Sequence, residues 1–382
     1  PDVRPMPMSV RLDAFRKRTQ MIADSPFKNI TWRSVGPETQ GGRVIDIAVP
    51  ASNLSEIYVA FATGGLWRTV NEGQSWEPLF DNQSAFGIGD IDITADGKTI
   101  WLGSGEANSQ RTSYAGTGVF KSTDAGKTWT NMGLHDSHHI GRVQIDPKNP
   151  QVVYVAALGP LYSQGGERGL YKTTDGGNTW TCVLKGDELT GCIDIQLYPR
   201  NSNVLYASMW DRDRRAWNMI ESGAGSGVFK STDAGKTWTK LSGLPSGFAM
   251  GRTALAVAPS RPDTIYAFMD NQGPDPATGT YDEYRADGEL TLSRFRRMSL
   301  EGIKKIPNDK LSSFLMGYLT RDDKADDVVK KLKDGSLSLV GLAELMMKRN
   351  PNVFEMDIND AEVWRSDDAG RTWVKTRPDM GS

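Results

Sequence analysis

Charge of one sign, long apolar runs, cysteine and histidine are all scarce in this chain, and each scarcity narrows its reading. Lysine and arginine number 45 against 47 aspartate and glutamate, a net charge of −2 over 382 residues. So even a balance makes no electrostatic case for a nucleic-acid or anionic-membrane partner. No apolar run approaches the roughly 20 residues of a membrane-spanning helix, so no membrane insertion is expected. No signal peptide is visible at Pro1, which fits a mature secreted chain as well as a cytosolic one. The 2 cysteines, Cys182 and Cys192, flank the stretch from Val183 to Gly191. A local disulfide and two buried free thiols are equally open there. The 3 histidines all lie in His135-Asp136-Ser137-His138-His139. His135, His138 and His139 are the candidate metal ligands. No spacing of carboxylates or cysteines completes a recognised site around them, so a surface loop is the expectation and no cofactor is implied.

Glycine and large aromatics are plentiful, with 40 Gly, 11 Trp and 11 Tyr, as suits a turn-rich all-β protein. One short stretch is written five times. Its clearest copy is Ser122-Thr123-Asp124-Ala125-Gly126-Lys127-Thr128-Trp129. Further copies centre on Asp175, Asp233 and Asp368, and a degenerate first copy has Asn71 in place of the aspartate. Each follows an apolar-aromatic run such as Gly118-Val119-Phe120-Lys121, which reads as a strand. The aspartate can accept backbone N–H bonds and the glycine supplies positive φ, so the stretch reads as a tight turn between two strands. The Trp that follows is free to pack under the hairpin. A structural role for Asn71, Asp124, Asp175, Asp233 and Asp368 explains five copies better than five metal ligands or catalytic acids.

Ahead of each turn come two more strands. The first opens on a glycine, as in Gly42-Arg43, Gly89-Asp90, Gly141-Arg142, Gly191-Cys192 and Gly251-Arg252. The second is exemplified by Val153-Tyr154-Val155. Four strands recurring at roughly fifty-residue intervals are propeller blades. The fold class is therefore all-β, a β-propeller of four-stranded blades, about five in number, spanning 29–382. Residues 1–28 stand apart as a helical extension, with Leu12, Phe15 and Ile22 expected to face the main body. Residues 273–360 lose the strand pattern. They read as a helical insertion in the fifth blade, with helices over Leu311 to Leu319 and Asp326 to Met347, forming a solvated cap or a docking surface. Trp32 resembles the Trp that opens a fourth strand yet lacks its own blade, so the natural chain is expected to continue past Ser382; the alternative is a small five-blade ring with Trp32 on the edge of the fifth blade.

In such a blade the first strand starts on the face to which the loop between strands two and three returns. The repeated turns lie on the other face. Arg43, Asp90, Arg142, Cys192 and Arg252 are therefore expected around a central mouth, joined by the loop Glu106 to Arg111 and the loop Trp210 to Trp217. Candidate ligand-binding residues are Arg43, Arg111, Arg142, Arg252, Asn108, Trp210 and Trp217. Candidate catalytic carboxylates are Glu106, Asp90 and Asp46. Convergent arginines, carboxylates and aromatics suit an anionic or sugar-like ligand. An alternative role for the arginines is to pair with aspartates and hold neighbouring blades together.

The Ser-x-Asp-x-Gly-x-Thr-Trp pattern resembles the Asp-box, or bacterial neuraminidase repeat. The chain is similar to Asp-box propellers, which include sialidases, family 74 xyloglucan-cleaving hydrolases and sortilin-type receptors. Gly41-Gly42-Arg43, Gly64-Gly65-Leu66-Trp67, Gly105-Glu106 and His138-His139-Ile140-Gly141-Arg142 look closest to large secreted bacterial proteins of sortilin-like or glycosyl-hydrolase-like type. The resemblance implies an extracellular, periplasmic or cell-surface location. Family 74 enzymes place a catalytic aspartate just before a Gly-Gly in the first blade, where this chain has Thr63 before Gly64-Gly65. The sialidase signature is absent. Two functions are carried forward. The first is a binding or assembly module for a glycan, peptide or partner protein. The alternative is a sialidase-like or xyloglucanase-like glycoside hydrolase using carboxylates at the propeller centre.

Overall fold

The computed structural model describes residues 5–31, 42–215, 218–272, 290–296, 298, 300–354 and 360–376. The chain is mostly β. Among the described residues, five four-stranded antiparallel sheets follow one another, each with its strands in chain order except for an interruption in the fourth and another in the fifth. They span 44–78, 88–131, 140–185, 190–240 and 250–375. The hairpin Asp213–Arg214 with Met219–Ile220 interrupts the fourth sheet. The first strands of successive sheets pack side by side, giving a propeller-like arrangement.

Each first strand carries a β-bulge, for example between Asp90 and Ile88 and between Asp194 and Cys192. A bulge bends the strand and re-aims its side chains. Here it turns acids toward the next sheet. Asp46 Oδ2 accepts from Ile91 N at 3.2 Å, Asp90 Oδ2 from Val143 N at 2.7 Å, and Asp194 Oδ2 from Leu255 N at 2.7 Å. The strands approach so closely that a Cβ on Gly89 would sit 1.9 Å from Ile140 O.

The five repeated turns share one network. Ser122 Oγ donates to Asp124 Oδ1 and accepts from Gly126 N, while Thr128 N and Oγ1 donate to the two aspartate oxygens. Asp175, Asp233 and Asp368 repeat it, and Asn71 reproduces the backbone part. The Thr hydroxyl and backbone donors hold Asp124, Asp175 and Asp233 down to about 2. Each turn also bonds the loop between strands one and two, as Ala125 N does to Lys98 O at 3.0 Å. That fixes all five turns at the end of the sheets away from the Glu106 loop.

Two further contacts cross the seams between sheets. Trp129 Nε1 donates to Leu79 O at 3.0 Å and Trp180 Nε1 to Met132 O at 2.7 Å, each in the preceding sheet. These Trp side chains therefore plug the neighbouring sheet rather than their own hairpin. In the opposite direction, a basic residue on the third strand of each of the first four sheets reaches the next turn. Arg68 donates to Ala125 O, Lys121 to Gly176 O, Lys172 to Ala234 O and Lys230 to Ala369 O, all within 2.8–3.1 Å.

The helix Met8–Asp24 lies on the body through Leu12, Phe15 and Arg11, which donates to Gly116 O and His135 O at 2.6 and 3.0 Å. Ile22 is not part of that face, being 53% exposed near the far end of the helix. Between the strands Ile265–Asn271 and Asp360–Ser366 stand, among the described residues, five helices: Leu292–Arg296, Leu300–Lys304, Asn308–Met316, Ala325–Asp334 and Leu339–Arg349. They enclose a core of their own, including Phe295, Leu311, Leu332 and Met346. The single helix expected over Asp326 to Met347 is two. Gly335 at φ 85° ends the first and Ser338 caps the second by accepting from Gly341 N. Cys182 and Cys192 are both free thiols. Trp32 and Trp217 lie outside the described residues.

Candidate functional site

Three sheets that are not all neighbours in sequence meet around Glu106. Arg43 sits just ahead of the first strand of the first sheet, and its Nε and Nη2 both reach Glu106 Oε1, at 3.2 and 2.5 Å. Asn108 Nδ2 donates to the same oxygen at 2.7 Å. Arg252, on the first strand of the fifth sheet, donates through Nη1 to Asn108 Oδ1. Glu106 is fully buried, and among the described residues no donor meets its Oε2. The Arg43 side chain stays 50% exposed. The site thus presents guanidinium and amide groups to solvent above a buried anion that fixes them.

The backbone under Glu106 is held from below. His139 Nδ1 lies 2.7 Å from Glu106 O; a carbonyl only accepts, so Nδ1 carries the proton. Burial pushes the His139 pKa well down, and the ring is neutral. Arg212 is completely buried, donates to Ala107 O at 2.9 Å and Gly159 O at 3.2 Å, and stacks over Trp210 at 5.6 Å. Desolvation lowers its pKa, and carbonyl dipoles supply its direct hydrogen bonds.

Arg142 has a different task. It bridges Asp90 Oδ1 and Asp194 Oδ1, both at 3.0 Å, and so braces the second, third and fourth sheets. Burial raises the Asp90 pKa well above the carboxylate range, with Arg142 opposing it. Asp46 and Asp90 both spend an oxygen on the next sheet's backbone. The three candidate carboxylates are therefore either buried or engaged in seams.

Of the two aromatics expected at the site, the one among the described residues, Trp210, does not reach it. Trp210 is 2% exposed, and its Nε1 donates to Glu221 O at 2.6 Å, because the strand Leu205–Asp211 carries it into the core beside Leu158 and Ile193. Arg111 is exposed, and its carbonyl accepts from Tyr162. His135 contacts Thr117 O at 3.0 Å, while His138 is buried with its pKa held at about 4, by burial first and then by nearby Arg11. Among the described residues no group of three His, Cys, Asp or Glu is placed to hold a metal ion.

No protein-family profile matches the chain. It is 24% identical to a xyloglucanase of a Paenibacillus species over 95% of this chain and 34% of that protein. It is 22% identical to the xyloglucanase Xgh74A of Acetivibrio thermocellus over 93% of this chain and 40% of that protein. The chain is similar to xyloglucanases. It spans between 34% and 40% of the length of these two relatives. Among solved structures, the GH74 xyloglucanase of Xanthomonas campestris aligns with a TM-score of 0.46 and 15% identity, over 91% of this chain and 47% of that one. No helix among the described residues is long and apolar enough to cross a membrane.

Sequence reasoning missed Arg212, Asp194 and His139 as organisers of the site. Arg212 stood in an arginine-rich loop that reads as exposed, and only the fold shows its burial. A better signal was available for Asp194. Asp46, Asp92 and Asp194 each follow an isoleucine on the first strands of the first, second and fourth sheets, and each accepts a backbone N–H from the next sheet's first strand.

Proposed function

We propose that this chain is part of a secreted glycoside hydrolase of the xyloglucanase type and that its Arg43–Glu106–Asn108–Arg252 surface holds a glucan chain. The similarity to the Paenibacillus xyloglucanase over 95% of this chain carries the reading and favours it over a sialidase or a dedicated assembly module. A blade-by-blade propeller with Asp-box turns is part of the same proposal, since the turns leave the opposite face free for ligand loops. Sugar hydroxyls are neutral, and fixed planar donors with amide groups bind them by directional hydrogen bonds. Glu106 acts here as a positioning residue that orients Arg43 and Asn108. Thr63, half-buried in the turn after the strand Ile57–Phe61, replaces the acid that the family 74 resemblance places there. Carboxylate-pair hydrolysis requires two acids flanking the bond. The contribution assigned to this chain's own residues is therefore glucan binding and positioning.

The test is affinity electrophoresis and calorimetry of the full chain with xyloglucan, alongside release of reducing ends. Binding lost on Arg43→Ala and Arg252→Ala, with the fold kept by circular dichroism, is the expected result. Failure to bind xyloglucan or any other β-glucan would reject the site.

A further inference from the structure

We propose that Arg11, on the helix Met8–Asp24, is a positioning residue for the glucan surface: it clamps the loop 105–116, which carries Glu106 and Asn108, in its binding geometry. This rests on the glucan-binding reading given above.

The loop leaves the strand Ile100–Ser104 at Gly105 and returns at Gly116, and its two ends are pressed together. A Cβ on Gly116 would lie 2.5 Å from Gly105 N, and one on Gly105 would lie 1.9 Å from His138 O. Gly116 N donates to that same His138 carbonyl at 2.6 Å. The neck of the loop is therefore built against the helical turn His135–Ser137 and the residue that follows it. That segment runs on into His139, whose Nδ1 donates to Glu106 O at 2.7 Å. Leu134 and His138, on either side of the turn, both stand at φ 53°. Residues with a Cβ hold that conformation only where their surroundings impose it.

Arg11 supplies part of that constraint from outside the sheets. Its Nη1 donates to Gly116 O at 2.6 Å and its Nη2 to His135 O at 3.0 Å. One planar guanidinium thus joins the return end of the loop to the start of the turn, a span that a single ammonium does not reproduce. Asp136 Oδ1 lies 3.8 Å from Nη2 and offsets the charge. The Arg11 side chain is only 15% exposed, on a helix with no buried residue. From Arg11 the contacts run without a break through the turn and His139 to Glu106, and from Glu106 to the Arg43 and Asn108 groups that it orients.

Hydrogen exchange of the full chain, without ligand, tests the clamp, and calorimetry with xyloglucan tests its effect on binding. Arg11→Ala should speed exchange in residues 105–116 and 135–139 and leave the fourth and fifth sheets as in the wild type. Binding must then immobilise Arg43 and Asn108, which weakens xyloglucan affinity roughly tenfold. Arg11→Lys should fall between the two proteins. Arg16→Ala should match the wild type in both readouts, because Arg16 pairs with Asp13 of its own helix. Millimolar guanidinium should restore slow exchange and affinity to Arg11→Ala, a rescue that loss of helix docking alone would not give. Unchanged exchange at the loop in both Arg11 variants would overturn the proposal, as would wild-type affinity in Arg11→Ala. A wild type that binds no β-glucan rejects the glucan reading instead, and the exchange rates still decide the clamp.

Discussion

Replacing Arg142 with methionine keeps the packing of its stem and deletes the charge shared by Asp90 and Asp194. Both carboxylates are nearly inaccessible, at 3% and 2% exposure. Removing one partner of a buried pair costs about 3–5 kcal/mol. The low end applies, because Val143 N and Leu255 N still donate to the two acids and Arg142 itself is one-third exposed. Unfolding entropy of about 2.1 cal/mol/K per residue gives roughly 0.8 kcal/mol/K for 382 residues. A loss of about 3 kcal/mol therefore lowers Tm by about 4 °C. The sign with pH follows from Asp90, whose folded-state pKa burial raises above the usual 3.8. The folded state then binds this proton more tightly than the unfolded one. Its contribution is full below 3.8 and is lost as pH rises through the folded value. Without Arg142 that value rises further, so the deficit is widest at neutral pH and shrinks toward about pH 5. Differential scanning calorimetry of both proteins at the two pH values measures it. An unchanged Tm at neutral pH, or an equal deficit at both, would refute the bridging role.

Other perturbations reach different parts of the molecule. The turn aspartates titrate near 2, below the usual 3.8, so their contribution is present above 3.8 and is lost as pH falls through about 2. Carbon-detected NMR of the carboxylates should show these low midpoints, and Asp124→Asn, copying Asn71, should make acid unfolding less steep. A Gly89→Ala variant forces a Cβ to within 1.9 Å of Ile140 O, so the seam must open, and its Tm should fall far more than that of Gly335→Ala, which meets nothing within 4 Å and adds only the backbone strain of φ 85°. Equal melting of the two glycine variants would show that the seam is looser than described.

The sequence made the four-stranded units legible because their turns are local. Ser122, Asp124, Gly126 and Thr128 satisfy one another within seven residues, so the pattern is complete in the letters. What joins one unit to the next is not local. Asp90 reads as a mouth residue until Val143 N is seen beneath it. Trp129 reads as a plug for its own hairpin until its indole meets Leu79 O. Arg43, Glu106 and Asn108 lie together, as their places at the same end of their sheets imply. Trp210 does not lie with them, because an aromatic at a strand end reads the same whether the core or solvent receives it. Ile22 failed for a related reason: helical spacing names a face but does not say how far along the helix a partner extends.

The strands that flank the five helices are paired to their last residues, with Asn271 opposite Asp360. The polypeptide leaves the sheet and re-enters it at facing positions, as at the neck of a purse. Among the described residues beyond that neck, the helices have their own apolar interior, and Arg296 links them to the sheets by donating to Asn218 Oδ1 at 2.7 Å and Met219 O at 2.8 Å. The helical unit is therefore a cassette. A short hairpin turn from Asn271 to Asp360 would leave the strand register intact, and the same neck would accept a different folded unit whose ends lie close together.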